Sequence, residues 1–207
     1  MTLENFALLI VACLAVNLSP GPSVVLVSSV AAADGFRAGF MAVLGMTLGA
    51  FVHVLLAASG VAALLASSKL AFAIVQYLGA VYLIYLGIHL LLTKNNNPAV
   101  TPRSTATSDW QFFRRGMLVD TLNPKIALFF LAFIPQFLLL VKNPGFFISL
   151  ALGSVFLLTG LLVNGVIAWL VAAGASRTRG QIADWVQRRI PAAVLVFLGL
   201  RLLWQKV

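Results

Sequence analysis

The chain has 207 residues, of which 61% are hydrophobic and 9% charged, with a net charge of +9 and a mean hydropathy of +1.04. Soluble domains carry about 25% charged residues, so water cannot be the solvent for most of this surface, and a soluble enzyme or binding module is excluded. The basic balance does not point to nucleic acid, because Lys and Arg stand at the ends of apolar runs, where membrane topology accounts for them.

No charge interrupts residues 5–33, 38–68, 70–93, 126–141 or 143–176, and a membrane span needs roughly 20 apolar residues. The first run is not a cleavable signal: only Glu4 precedes it, it is too long, and it continues past its prolines. Six spans are predicted, at about 6–33, 39–66, 70–93, 116–141, 146–174 and 190–204. The last is short, and its start can be placed as early as Ile182, with Arg188 and Arg189 snorkelling to the interface. Between the third and fourth spans, residues 94–113 are rich in Asn, Thr, Ser and Pro and read as a flexible linker. The expected organisation is a single domain over 1–207, with one repeat over about 1–93 and a second over about 114–207.

Basic residues set the expected orientation. Arg37, Lys94, Arg103, Arg114, Arg115, Arg177, Arg179, Arg188 and Arg189 fall on one side, against Lys69, Lys142 and Lys206 on the other. The first side should be cytoplasmic, which leaves both termini outside and the 94–113 linker inside.

Proline breaks the pattern twice. Ser19-Pro20-Gly21-Pro22 lies inside the first span and Leu122-Asn123-Pro124-Lys125 inside the fourth. Proline removes a backbone donor and clashes with the preceding turn, so both helices must kink or unwind. In hydrocarbon the freed groups must face protein or a watery cavity. An offset of 104 places Pro20 on Pro124, Leu18 on Leu122 and Gly49 on Gly153, and an offset of 112 places Leu86–Leu91 on Leu198–Leu203. Three spans per half is an odd number, so a duplicated half must sit inverted. The expected fold is an all-α membrane protein built as two inverted three-helix repeats, with helices 1 and 4 broken at the proline motifs.

Depth selects the polar residues. At about 1.5 Å per residue, Pro20 lies about 22 Å from Asn5 and Lys125 about 15 Å from Arg115, so Asp120 and Lys125 belong near the middle of a core about 30 Å thick. Charges there should face a cavity or each other. One acid and one base beside two helix breaks suit a zwitterion. Helices restarting after Pro22 or Pro124 offer N–H groups to a carboxylate, with Lys125 adding charge, while Asn17, Asp120, Asn123 and freed carbonyls accept from an ammonium. Asp120 is the leading candidate for proton coupling and His53, near the middle of the second span, the second. Gly45 and Gly49 form a small-xxx-small pattern for close helix packing, and Gly79 and Gly87 share a face for the same reason. Cys13 reads as a small hydrophobe, His89 as peripheral, and Pro135-Gln136 as a further break that could line an outer path.

Asn17-x-x-Pro20-Gly21-Pro22, then Gly35-Phe36-Arg37-x-Gly39, and Asp120-x-x-Asn123-Pro124-Lys125 followed by Phe129-Phe130-x-x-Phe133-x-Pro135-Gln136-Phe137 resemble the lysine exporter (LysE/RhtB-type) amino-acid exporter family. The resemblance covers essentially the whole chain. It implies a secondary transporter of the bacterial inner membrane that exports amino acids or derivatives such as homoserine, neutral or basic, driven by protons. The motif residues Asn17, Pro20, Gly21, Pro22, Asp120, Asn123, Pro124 and Lys125 would form its substrate site, with no cofactor and no metal. Partners are the amino acid, protons and the lipid bilayer, and self-association into a homo-oligomer is compatible with the pattern. An ion or heavy-metal exporter of related architecture would need several clustered carboxylate, His or Cys ligands, whereas Asp120, His53, His89 and Cys13 are scattered. An intramembrane enzyme would need a nucleophile with a base or a metal set, and no spacing here supplies one.

Overall fold

A computed structural model describes residues 2–67, 69–92, 108–139, 141, 145–174 and 188–204, and these are helical with no strand among the described residues. Lys94, Arg103, Lys142, Arg177, Arg179, Lys206 and residues 94–107 of the connection lie outside the described residues.

Helix α1 spans Leu3–Leu18 and starts at Thr2, whose hydroxyl accepts from the Asn5 N–H at 3.3 Å. It stops at Ser19, whose backbone is extended (φ −64°, ψ 129°) because a residue preceding proline is driven out of the helical region. Helix α2 spans Pro22–Ser67, 46 residues. Unbent, it would be about 69 Å long, more than twice a hydrocarbon core. Gly35 prevents that with φ 87° and ψ 179°, a conformation open to glycine. Gly39 lies against Ala31, close enough that an added Cβ would be 2.8 Å from the Ala31 methyl. The chain therefore folds back at Gly35, leaving a first arm from Pro22 and a second arm to Ser67. The connection expected near 34–38 is thus a reversal at one glycine rather than a loop.

Helix α3 spans Lys69–Leu92, α4 Asp109–Thr121, α5 Pro124–Ala132, α6 Ile134–Leu139, α7 Phe146–Ala172 and α8 Ile190–Trp204. Helix α4 begins inside the stretch read as linker. Phe112 is buried against Val30, Ala38 and Ala42, and Trp110 stacks on Phe113 at 5.4 Å. This apolar anchoring outweighs the polar composition upstream. The later break in the fourth span falls at Phe133, between α5 and α6, and Pro135 sits inside the first turn of α6. Arg188 donates to the Leu90 and Leu91 carbonyls, both at 3.3 Å, and so caps the C-terminal end of α3.

By length and hydropathy, Pro22–Gly60 and Phe146–Ala172 are each apolar enough to cross a membrane. The pair Asp109–Thr121 and Pro124–Leu138, bent by 48°, is a third if taken as one span. Leu3–Leu18, Gln76–Leu92 and Ile190–Arg201 are shorter apolar helices. Lipid explains the outer surface: α7 exposes Leu158, Leu162, Val166 and Trp169 while burying Ser149, Phe156 and Asn164. The largest fully buried side chains include Phe129, Phe130, Phe133 and Phe156, and pairwise ring contacts link these to one another and to Phe137.

Helix α2 packs on α4 and α7, and α3 packs on α8. Glycines set the closest approaches. A Cβ on Gly45 would run into the Phe113 carbonyl, one on Gly49 into the Met117 carbonyl, and one on Gly116 into the Ala42 carbonyl. Gly87 lies against Ala192 and Val196, and Gly199 against Ala80 and Ile84, so α3 and α8 run antiparallel. An offset of 112 maps each of these two contacts onto the other. The added-Cβ distances agree as well: 2.8 Å from Gly87 to the Ala192 oxygen and 2.7 Å from Gly199 to the Ala80 oxygen.

At the Gly35 reversal, Arg37 meets Asp109 at 2.6 Å, with the two side chains 81% and 39% exposed. Exposed pairs contribute about 0–1 kcal/mol. Arg37→Ala is therefore expected to leave the melting temperature of the purified protein within about 3 °C of the parent, as read by intrinsic tryptophan fluorescence.

Candidate functional site

The two proline breaks meet. At the end of α1, the Val16 and Ser19 carbonyls have no backbone N–H partner and carry the helix's partial negative charge, with the Ser19 hydroxyl giving its proton to the Val16 oxygen at 2.8 Å. The Lys125 ammonium fills that place, donating to the Val16 oxygen at 3.0 Å, the Ser19 oxygen at 3.0 Å and the Ser19 hydroxyl at 3.1 Å. Lys125 is delivered by the start of α5. Asn123 caps that helix by accepting from the Lys125 N–H at 3.1 Å, and Pro124 occupies the first helical position, where no N–H is needed. Gly21 leaves room for the ammonium, since a Cβ there would lie 3.2 Å from Nζ.

Asp120 lies in the last turn of α4 and is 5% exposed. The Ser23 hydroxyl, from the first turn of α2, donates to its Oδ1 at 2.5 Å. Asn123 Nδ2 in turn donates to the Ser23 oxygen at 3.1 Å. The Asp120 carbonyl accepts from His53 Nε2 at 3.0 Å. A carbonyl can only accept, so Nε2 carries the proton. Asn17 Nδ2 donates to Thr159 Oγ1 at 3.2 Å and to the Phe156 carbonyl at 3.4 Å, tying α1 to α7.

The acid and the base are not ion-paired with each other. Lys125 directs its donors to the end of α1, and Asp120 is held by Ser23. Lys125, expected to offer its charge to a carboxylate, serves here as a clamp between the two breaks. Asp120 faces a small cavity between α1, the second arm of α2, α4 and α7, with room for about one water-sized group. Its polar wall is Asn17, Thr47, Asp120 and Asn164; the remainder is apolar and includes Met46 and Phe156.

Of the residues singled out in the sequence, Asn17, Gly21, Asp120, Asn123 and Lys125 converge here, and His53 joins through the Asp120 backbone. Pro20, Pro22 and Pro124 shape the breaks. Gly45 and Gly49 lie along α4 rather than at the cavity. Ser19, Ser23, Thr159 and Asn164 were not singled out. The two serines flank the Pro-Gly-Pro turn, and Asn164 is the one amide between residues 146 and 172, which is itself a signal in a span.

Fold, composition and buried polar centre define a multi-pass helical membrane protein. The chain belongs to the LysE type translocator family, whose model matches residues 14–206. It is 35% identical to an uncharacterized membrane protein of Pseudomonas aeruginosa over 182 residues, 84% of this chain and 79% of that one. It is 31% identical to the leucine efflux protein of Salmonella typhimurium over 134 residues, 65% of this chain and 63% of that one. Less than two thirds of the Salmonella protein is therefore spanned. It is also 31% identical to the leucine efflux protein of Klebsiella pneumoniae over 145 residues, 68% of this chain and 67% of that one. No solved structure matches the chain.

Proposed function

We propose that this protein exports neutral aliphatic amino acids of the leucine class across the bacterial inner membrane, coupled to protons at Asp120. One observation carries the reading: a buried carboxylate opens on a cavity where two interrupted helices abut. Interrupted helices whose freed ends meet near mid-membrane are the pattern of secondary-transporter substrate sites. The names of the relatives favour leucine as cargo. A basic cargo would call for a second acid beside Asp120.

The architecture proposed is six spans in two inverted halves. Helix α1 with the first arm of α2 forms the first span, the second arm of α2 the second, and α3 the third. Helices α4, α5 and α6 form the fourth, α7 the fifth and α8 the sixth. Support comes from the antiparallel α3–α8 contact, which the 112 offset maps onto itself. The Gly35 reversal and the start of α4 share one side through Arg37 and Asp109, and that side is proposed to be cytoplasmic. Asn17, Pro20, Gly21, Pro22, Asp120, Asn123, Pro124 and Lys125 make up the site, with Asp120 and Asn17 toward cargo and Lys125 locking the breaks. The cavity admits only a water-sized group, so this arrangement excludes a whole amino acid. Rocking of the halves, with release of the Lys125 clamp, would admit cargo.

Cells loaded with labelled leucine and expressing the protein should show saturable efflux that a protonophore abolishes. Asp120→Asn, which keeps size and removes the titrating group, is expected to lower that efflux at least about 100-fold at unchanged membrane abundance. Parent-level efflux by Asp120→Asn would remove Asp120 from the mechanism, and efflux no greater than in cells lacking the protein would reject the exporter reading.

A further inference from the structure

Asn164 plays no part in the motifs, yet it is the one residue of the cavity wall whose buried acceptor has no partner. It is 5% exposed. Its Nδ2 donates to the Gly160 carbonyl at 3.0 Å, which fixes the amide: turned over, it would set oxygen against oxygen. Its Oδ1 is buried without a hydrogen bond, a state that native interiors seldom leave without a purpose.

The rest of the polar wall has the same bias. Asn17 gives its N–H groups to Thr159 and Phe156, and the Thr47 hydroxyl gives its proton to the Val43 carbonyl at 3.0 Å. Asp120 has only oxygens to offer. Every donor of these four side chains that forms a bond is used within the protein. Apart from the second N–H of the Asn164 amide, what remains for an occupant is a set of acceptors on four elements, one of them a carboxylate. Such a set takes a compact cation with several N–H donors, and the cavity has room for about one water-sized group, the size of a primary ammonium. The cargo carboxylate gains nothing there.

We infer that this cavity is the subsite for the α-ammonium of the cargo, and that Asn164 is a specificity-determining residue that accepts one of its hydrogen bonds. The inference rests on the amino-acid export reading. It explains how the protein separates an amino acid from an acid of identical shape that lacks the amine. The amine supplies three donors to the waiting acceptors, whereas a carbonyl in its place would oppose them.

The test is counterflow in proteoliposomes holding the full chain and labelled leucine, with unlabelled leucine or its 2-oxo analogue as competitor. The parent should prefer leucine strongly. Asn164→Leu and Asn164→Ala should each raise the half-competing concentration of leucine about 10-fold or more and leave that of the oxo acid unchanged. Asn164→Asp, which keeps the acceptor, should retain the preference. Using two truncations keeps the test decisive if one of them fails to insert. An unchanged leucine-to-oxo-acid ratio in either truncation, or equal weakening of both competitors, would overturn the ammonium subsite while leaving amino-acid export intact. Absence of leucine counterflow in the parent would instead overturn the export reading, and this subsite with it.

Discussion

Lys125→Met is expected to melt about 6 °C below the parent and to export no leucine. The methionine keeps the length and apolar stem of the lysine but has no N–H to offer. The Ser19 carbonyl, now capped at 3.0 Å, would be left buried without a partner, while the Val16 carbonyl would keep the Ser19 hydroxyl at 2.8 Å. An unsatisfied buried polar group costs about 1–3 kcal/mol, so the one orphaned carbonyl costs about 2 kcal/mol. For a chain of this size each kcal/mol corresponds to about 2–4 °C. Water cannot make up the loss, because Ser19 is 1% exposed and Lys125 7%. Gly21→Ala should have a smaller effect in the same direction, since its Cβ would fall 3.2 Å from Nζ and the ammonium must give by a few tenths of an ångström. Thermal unfolding in detergent, followed by tryptophan fluorescence, reads both variants. A Lys125→Met protein melting with the parent would show that the clamp contributes nothing to the fold.

Gly45→Leu and Gly116→Leu are expected to yield little or no folded protein. The two glycines interlock the second arm of α2 with α4. Gly45 faces the Phe113 carbonyl and the Met117 N–H, and Gly116 faces the Ala42 carbonyl and the Met46 N–H. The obstacles are backbone atoms within helices, which cannot move aside as a side-chain end can. Overpacking a core typically costs about 1–3 kcal/mol, and here the helices must separate before any side chain fits. Gly60→Ala is the matched control. It lies in the same helix with nothing within 4 Å of its Cβ position, and alanine favours helix over glycine by about 1 kcal/mol. Its melting temperature should equal or slightly exceed the parent's. Monodisperse yield on size exclusion distinguishes the three, and normal yields for both leucine variants would mean that α2 and α4 do not pack as described.

Much of this arrangement is legible in the residues because a few chemical constraints are severe. Proline cannot continue a hydrogen-bonded helix, so both breaks are visible at Pro20 and Pro124. Mid-span charges must be sheltered, so Asp120 and Lys125 stand out. Which partner shelters each charge is not legible. Mutual attraction is the simple expectation, but the orphan carbonyls of a broken helix compete for the ammonium, and Lys125 satisfies three oxygens at the end of α1 instead of Asp120. Ser23 is invisible for a related reason, since serine is common in spans and only the fold sets it 2.5 Å from the Asp120 carboxylate. The start of α4 at Asp109 was hidden by the polar linker before it, although Phe112 anchors that turn. Asn164 was readable as a lone amide in an apolar run, but its importance lies in an unpartnered oxygen that only the packing reveals.

The central claim, that cargo sits between the two breaks, is tested most directly by labelling a cysteine in the cavity wall. Cys13 is the one native cysteine and is buried, so Cys13→Ala with Thr47→Cys places a single thiol on the wall. Alkylation of that thiol in membranes should be slowed by leucine, half-maximally at the concentration that half-saturates transport, and not by the 2-oxo analogue at the same concentration. Labelling that proceeds at an unchanged rate in leucine sufficient to saturate transport would place the cargo elsewhere and contradict the account.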